Sequence, residues 1–216
     1  MTALADLFPP LGLTLTAGPL VMRGISDELL PELADLARRG IHDPGEMPFY
    51  VPWTDALRAD LARNTAAYHW RSRAEFSPSQ WGLHLAVIHD GQLVGVQGFE
   101  TSDYLVTRTG ETGSWLGREF QGRGIGTAMR QVICAFAFDH LDAEEVTSGA
   151  FLDNPASLAV SRKVGYRPNG VRRLKRRAGE LALNQSLVLT RGDFVRGTHP
   201  VAVEGLAPFR SFVGLD

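Results

Sequence analysis

The segment Ser114-Trp115-Leu116-Gly117-Arg118-Glu119-Phe120-Gln121-Gly122-Arg123-Gly124-Ile125-Gly126-Thr127 carries the reading of this chain. Ahead of it residues 111–117 have the pattern of a strand, and behind it Met129, Val132, Ile133 and Phe136 recur at helical spacing in an amphipathic helix that runs to about His140. A strand ends, the glycines Gly122, Gly124 and Gly126 strip a short loop of side chains, and a helix begins at once. In that geometry the N–H groups of the loop and first helical turn have no intrahelical partner and point toward one spot at the positive end of the helix dipole, which makes a cradle for a phosphate or pyrophosphate. A glycine-rich turn that only joins strand to helix has the same Gly-x-Gly, so the segment alone leaves both readings standing. No Gly-Lys-Ser/Thr closes the loop, which excludes a Walker P-loop. The strand before it comes late in the chain, which excludes the first βαβ unit of a Rossmann half.

The neighbouring elements follow outward from there. Residues 145–151 form a further strand, and Asn154-Pro155 opens a short helix that Gly165 closes, with asparagine as N-cap, proline in the first turn and glycine just past the end. On the N-terminal side Leu83, Leu85 and Val87 alternate with polar or small residues, Asp90-Gly91 is a hairpin turn, and residues 93–100 return. A strand at 11–23, split by Gly18 and Pro19, leads into a helix capped by Ser26 and ended by Gly40. Thr54 is expected to cap a second helix from Asp55 to about Arg71, and between the two helices lies a proline-rich loop with His42, Asp43, Glu46, Phe49, Tyr50 and Trp53. Two last strands, 170–176 and 181–190, flank Ala178-Gly179. The order is mostly antiparallel early, with a βαβ crossover in the middle, and predicts one α+β domain over residues 1–216. Residues 1–80 hold the first strand and two helices, 81–194 the core, and 195–216 a tail apolar enough (Val201, Val203, Leu206, Phe209, Phe212) to pack on something.

Composition narrows the function. Over 216 residues, 44% hydrophobic and 21% charged is the range of ordinary globular proteins, long enough to bury a core without a disulfide or metal staple. A net charge of −2 gives no global field for a nucleic acid or a membrane surface, so an anionic partner must be met locally. The run Arg172-Arg173-Leu174-Lys175-Arg176-Arg177 reads as a solvated edge strand protected by charge rather than as a nucleic-acid patch. Cys134, the one cysteine, rules out internal disulfides and reads as a small core residue, and the six histidines show no metal-ligand spacing, so no metal is expected. No apolar run approaches a membrane span and no leader pattern opens the chain. These features predict a soluble, cytoplasmic protein without membrane or nucleic-acid partners.

Gln121-Gly122-Arg123-Gly124-Ile125-Gly126 resembles the Q/R-x-x-G-x-G/A pyrophosphate loop of the GCN5-related N-acetyltransferases (GNAT), and Asn154-Pro155-Ala156-Ser157 with Gly165-Tyr166 looks like that family's second motif. Trp115-Leu116 before the loop and Ala135-Phe136-Ala137-Phe138 after it look like the branch of ribosomal-protein alanine acetyltransferases. Together these motifs cover about residues 93–194. The resemblance implies the GNAT fold, a mixed central β-sheet in which a parallel pair, here residues 111–117 and 145–151, is splayed and flanked by helices. The pantetheine arm of an acyl-CoA would lie in the splay and its pyrophosphate on the N–H groups from Gln121 to Gly126. Trp115, Leu116, Gly117, Thr127, Asn154 and Ser157 would complete the donor site, with Arg118, Arg123, Arg162 and Lys163 near the phosphates.

Attack of a neutral amine on a thioester needs a route for the ammonium proton, donors for the tetrahedral oxyanion and a partner for the departing thiolate. The resemblance implies the backbone N–H near Leu116 for the oxyanion and Glu111, in Glu111-Thr112-Gly113-Ser114-Trp115, for the proton. Many relatives carry a tyrosine where this chain has Ser161. The departure leaves Ser157 as the thiolate partner, with Ser161 in reserve and Tyr166 as an outsider. His42, Asp43, Glu46, Tyr50 and Trp53 would lie in the loop that covers the acceptor. The chain is accordingly expected to be an N-acyltransferase that uses acetyl-CoA or another acyl-CoA such as succinyl-CoA, and to act on a primary amine of a protein N-terminus or small molecule. The family's habits and the apolar tail lean toward a homodimer. A non-catalytic acyl-CoA sensor or scaffold is the rival reading.

Overall fold

The computed structural model describes residues 2–216. After a one-turn helix α1 (Leu4–Leu7), the stretch expected as a single split strand folds back on itself, β1 (Thr14–Ala17) pairing antiparallel with β2 (Leu20–Gly24). Gly18 takes φ +57° and Pro19 has no N–H to continue a ladder, so the chain reverses between them. Helix α2 (Leu30–Arg39) follows a 3-10 turn at Asp27–Leu29, which stands where a helix start was expected at Ser26, and it buries Leu30, Leu33, Leu36 and Ala37 on one face. Helix α3 (Arg58–Ala74) begins later than Asp55 because Thr54 does not cap it. The Thr54 hydroxyl is taken by His42 Nε2 at 2.7 Å, and Trp53–Asp55 winds as a separate 3-10 turn.

Strands β3 (Gln80–His89) and β4 (Gln92–Ser102) form the hairpin expected at Asp90-Gly91, both turn residues left-handed at φ +50° and +77°. A one-turn helix α4 (Tyr104–Thr107), in a stretch for which the sequence predicted no helix, precedes β5 (Thr109–Leu116). Then come α5 (Ile125–His140), β6 (Glu145–Phe151), α6 (Pro155–Val164), β7 (Arg167–Arg177) and β8 (Glu180–Thr190). Asn154 caps α6 as expected, its Oδ1 accepting from the Ser157 N–H at 3.0 Å. The tail forms β9 (Ala202–Glu204) and α7 (Leu206–Phe212). Strand β9 pairs with β1, and Phe209, Val213 and Leu215 enter the chain's own core, while Phe212 stays exposed.

All the strands join one sheet in the order β7-β8-β6-β5-β4-β3-β2-β1-β9. Helix α3 lies over one face, with Tyr68 hydrogen-bonded to Glu100 and His69 against His84. Helix α5 lies under the other, where Arg130 meets Ser114 and Ser148. Among the described residues only β5 and β6 run parallel, and their pairing stops after Thr109↔Glu145, Gly110↔Val146 and Glu111↔Thr147. That short register places the site.

Burial between α3 and β3 lowers the pKa of His69 to about 3, helped by its neighbours His84 and Arg73. The folded protein therefore holds His69 neutral while the unfolded chain binds a proton below its ordinary value of 6.5. The unfolded state binds more protons in that window, so stability falls as pH drops from 6.5 toward 3. Chemical denaturation across that range should show the decline, and His69→Gln should make it shallower.

Candidate active site

Strand alternation shows what the opening between β5 and β6 offers. The Gly117 N–H donates to Val94 O at 2.9 Å, and ladder bonds in an antiparallel pair fall on alternate residues. In the register from Gly95↔Leu116 to Glu100↔Glu111, the backbone groups of Glu111, Gly113 and Trp115 therefore turn to β4, and those of Ser114 and Leu116 turn away toward β6. On β6 the Leu152 N–H to Leu183 O bond, 2.9 Å, fixes the alternation against β8 and turns Gly149 and Phe151 toward β5. Beyond Glu111↔Thr147 these groups face each other across a gap with no ladder between them. An extended amide-bearing ligand can add to either rim as a strand would. Gln121 pins the end of β5, its Nε2 donating to Leu116 O at 3.0 Å and to Ile41 O at 2.6 Å.

The cradle lies at the end of the same strand. The Gln121 N–H is spent on Arg118 O, and those of Thr127 and Ala128 on Gly124 O. Among the described residues, the N–H groups between them, from Gly122, Arg123, Gly124, Ile125 and Gly126, have no acceptor. Gly122 and Gly124 stand at φ +73° and +84°, and a Cβ on either would project into open space. Unpaired donors at the start of a four-turn helix fit an anion of pyrophosphate size. Arg123 is exposed beside them, whereas Arg118, expected near the phosphates, forms an ion pair with Asp43.

On the face carrying α3, Glu111 sits directly opposite Glu100. Burial raises the Glu111 carboxyl above the usual carboxylate range; the Arg172 guanidinium opposes the rise, Glu100 adds to it, and the Tyr50 hydroxyl lowers it again. The Tyr50 hydroxyl donates to Asn184 Oδ1 at 3.2 Å and accepts from Arg172 Nη2 at 3.5 Å. It lies above Gly149, where any Cβ would strike it, so this glycine makes room for the loop that carries Tyr50. Trp53 packs between Phe49 and Trp115, with ring centroids 5.3 and 5.9 Å away. The structure thus brings Glu111, Tyr50, Trp53 and Trp115 to one wall. His42 is turned into its own loop, with Nδ1 on Asp43 O at 2.8 Å and Nε2 on Thr54, and Glu46 is exposed, its N–H donating to Asp43 O and its carbonyl accepting from Arg177.

Sequence reading did not single out Glu100, Gly149, Arg172 or Asn184 for this wall. Their places depend on strand order, and only Arg172 carried a signal, as part of a basic run read as a solvated edge. Strand β7 is indeed the edge, but Arg172, Arg176 and Arg177 reach inward to Tyr50, Asp153 and Asp55. Asn184 is fully buried and its Nδ2 has no acceptor among the described residues.

Ser157 is half-buried in the first turn of α6, and among the described residues its hydroxyl has no hydrogen-bond partner, so it is free to donate where the helix dipole favours negative charge. Ser161 is fully buried with an orphaned hydroxyl. Tyr166 is enclosed: its hydroxyl is held by Thr112 Oγ1 at 2.9 Å and Cys134 Sγ at 3.3 Å, and burial lifts its pKa well above the ordinary value. No group of three or more His, Cys, Asp or Glu suited to a metal ion occurs among the described residues.

The chain was compared with known proteins. Residues 20–167 match the family model described as an acetyltransferase (GNAT) domain. A Bacillus subtilis (strain 168) protein named as a ribosomal N-acetyltransferase, YdaF, is 32% identical over 113 residues, which is 52% of this chain and 59% of that protein; the chain spans about three fifths of this relative's length. Mycobacterium smegmatis RimJ, solved with a CoA-disulfide, superposes with a TM-score of 0.67 over 92% of each chain at 15% identity. RimL, solved with coenzyme A, gives 0.62 over 80% of this chain and 94% of its own at 16% identity. At these identities the last two show the fold. The family match runs from the first residue of β2 to the first residue of β7, taking in both the parted strands and the cradle, and on that ground the chain belongs to the GNAT acetyltransferase family.

Proposed function

We propose that this protein is an acyl-CoA-dependent N-acyltransferase that acts on a primary amine of a protein N-terminus or small molecule by direct attack in a ternary complex. The observation that carries the reading is the alignment of two unpaired donor sets, the rims at Ser114 and Leu116 and the cradle at Gly122 to Gly126, along one line out of β5. A CoA pyrophosphate fits the cradle and a pantetheine amide fits the rims. The acyl group is acetyl or a carboxylated group such as succinyl. The relative named as a ribosomal N-acetyltransferase supports a protein amine as acceptor.

In this reading the acceptor comes to the face that holds Glu111, Tyr50 and Trp53. Glu111 takes the ammonium proton, directly or through water, and the free amine attacks the thioester carbon. The carbonyl electrons move onto oxygen, which accepts a hydrogen bond from the Leu116 N–H; as the intermediate collapses, the C–S bond breaks with its electron pair going to sulfur, and the nitrogen gives its remaining extra proton to solvent, from which the thiolate is protonated once released. The Ser157 hydroxyl donates a hydrogen bond to that thiolate; a serine is too weak an acid to give up its proton outright. Free thiol released only when donor and amine are both present tests the assignment, in a screen of acyl-CoA donors against amine classes. Binding of acyl-CoA without thiol release under any combination would favour the sensor.

Ser157→Ala should lower kcat by roughly ten- to a thousandfold with CoA affinity nearly intact, because the hydrogen bond strengthens only as negative charge develops on sulfur. Ser161→Ala should change kcat by less than about threefold and leave the melting temperature equal or higher, since it removes a buried hydroxyl that has no partner. The opposite order would move the thiolate contact one turn along α6.

A further inference from the structure

Helix α5 carries one charged side chain into the interior. Arg130 is 4% exposed, on the sheet face opposite the acceptor wall, and its guanidinium bridges the two strands that part. Nη1 donates to Ser148 Oγ on β6 at 3.0 Å, Nη2 to Ser114 Oγ on β5 at 3.2 Å, and the Tyr166 ring lies 5.8 Å from its central carbon. Among the described residues no carboxylate forms an ion pair with it, and its buried Nε has no acceptor.

A guanidinium taken out of water is costly unless a counter-charge is supplied, and two neutral hydroxyls with a ring face supply only part of one. Burial pushes the thiol of Cys134, one turn on along the same helix, up to about 11, with Tyr166 and Arg130 each lowering it in part, and no neighbour of the guanidinium among the described residues is an ion-pair partner. The position of the charge is specific. Ser148 follows Thr147 of the last paired register, and Ser114 lies just beyond it on β5, so the guanidinium spans the inner end of the opening. A donor whose pyrophosphate rests on Gly122 to Gly126 enters from the outer end, past Leu116, and its acyl group is the part that reaches inward. An acetyl methyl there would leave the charge with no partner in contact, only a weak pull on Glu111 across the strand, where burial raises the carboxyl pKa and Arg130 is among the groups that lower it.

We infer that Arg130 is a receptor for a carboxylate borne by the acyl group, so that the preferred donor is the CoA monothioester of a short dicarboxylic acid. This specificity rests on the acyl-transfer reading given above. A carboxylate would give the orphaned guanidinium edge a charge-assisted hydrogen bond, which a neutral acyl chain of equal length cannot do.

Calorimetry on the full chain with CoA, acetyl-CoA, butyryl-CoA and succinyl-CoA tests it, because butyryl matches succinyl in length without the charge. Succinyl-CoA should bind at least about tenfold more tightly than either neutral thioester, a difference of about 1.4 kcal/mol. Arg130→Gln should bring the three thioesters within about threefold of one another while CoA itself binds as before. Equal binding of butyryl- and succinyl-CoA by the parent would overturn the inference without any variant, as would a succinyl preference that survives in Arg130→Gln. If acetyl-CoA binds and transfers to amines while succinyl-CoA has no advantage, the receptor is refuted and the transferase reading stands. If succinyl-CoA is preferred and Arg130 is required, yet no amine releases thiol, the receptor stands and the transferase reading falls.

Discussion

Gly124→Asp should raise the dissociation constant for CoA at least about a hundredfold, roughly 2.7 kcal/mol, with the fold retained. The substitution places a carboxylate over the unpaired N–H groups that the pyrophosphate needs. Two like charges about 4 Å apart at an effective dielectric of about 20 repel by about 4 kcal/mol, which exceeds the expected loss and leaves room for screening at this exposed loop. The backbone cost is separate and smaller. Gly124 stands at φ +84°, where a side chain is strained by about 1 kcal/mol, enough to lower the melting point of a chain this size by about 2–4 °C. Gly124→Ala carries the strain without the charge and should lose far less CoA affinity. Equal losses in the two variants would mean that loop conformation, not anion binding, is what the glycine serves.

Glu111→Gln should lower kcat/KM for the amine acceptor about a hundredfold near neutral pH, within the range of positioned proton acceptors, and the deficit should shrink as pH approaches the amine's own pKa. Once the free amine dominates in solution there is no proton left to remove. Stability moves the other way. Because burial holds the Glu111 pKa above its ordinary 4.5, the folded protein keeps a proton that the unfolded chain has released, and this contribution to stability is lost as pH rises through the raised value. Above that window the charged carboxylate is a standing cost, which the neutral amide removes. Glu111→Gln should therefore be at least as stable as the parent at pH 7 to 8 by denaturant titration, so unfolding cannot explain its lost activity. A pH–rate profile parallel to the parent's would assign the proton to another group or to water.

What the sequence made legible was set by chemistry within a few residues. Asp90-Gly91 needs left-handed backbone and makes its hairpin wherever it occurs, Asn154 caps because its own side chain reaches the Ser157 N–H, and the glycines of the cradle remove Cβ atoms where donors must converge. The misread positions are those where a distant partner outbid the local one. Thr54 has the chemistry of a cap but gives its hydroxyl to His42, and His42, rich in possible chemistry, spends both ring nitrogens in its own loop. Gly18-Pro19 was legible as a break, though not as a reversal, because only the pairing of Ala17 with Leu20 decides between them. Within the site, Glu111 could be found from its motif. Asn184 and Arg130 could not, since one becomes buried only when β8 is laid beside β6 and the other matters only because β5 and β6 part above it.

The pairing of β1 with β9 also sets when the molecule can be finished. Thr14 leaves the ribosome early and waits for Glu204, and until then β1 has a bare edge and the core lacks Phe209. The opening between β5 and β6 and the cradle, from β5 through α6, depend on nearer neighbours in the chain. Non-local pairing of this kind is slow and comes late, so a nascent chain can hold a formed donor site on a sheet that is still open at its far edge. Any interruption of synthesis before β9 leaves the hydrogen-bonding groups of Thr14–Ala17 exposed to another chain, which makes that edge, rather than the wall around Glu111, the place where an incomplete molecule would begin to aggregate.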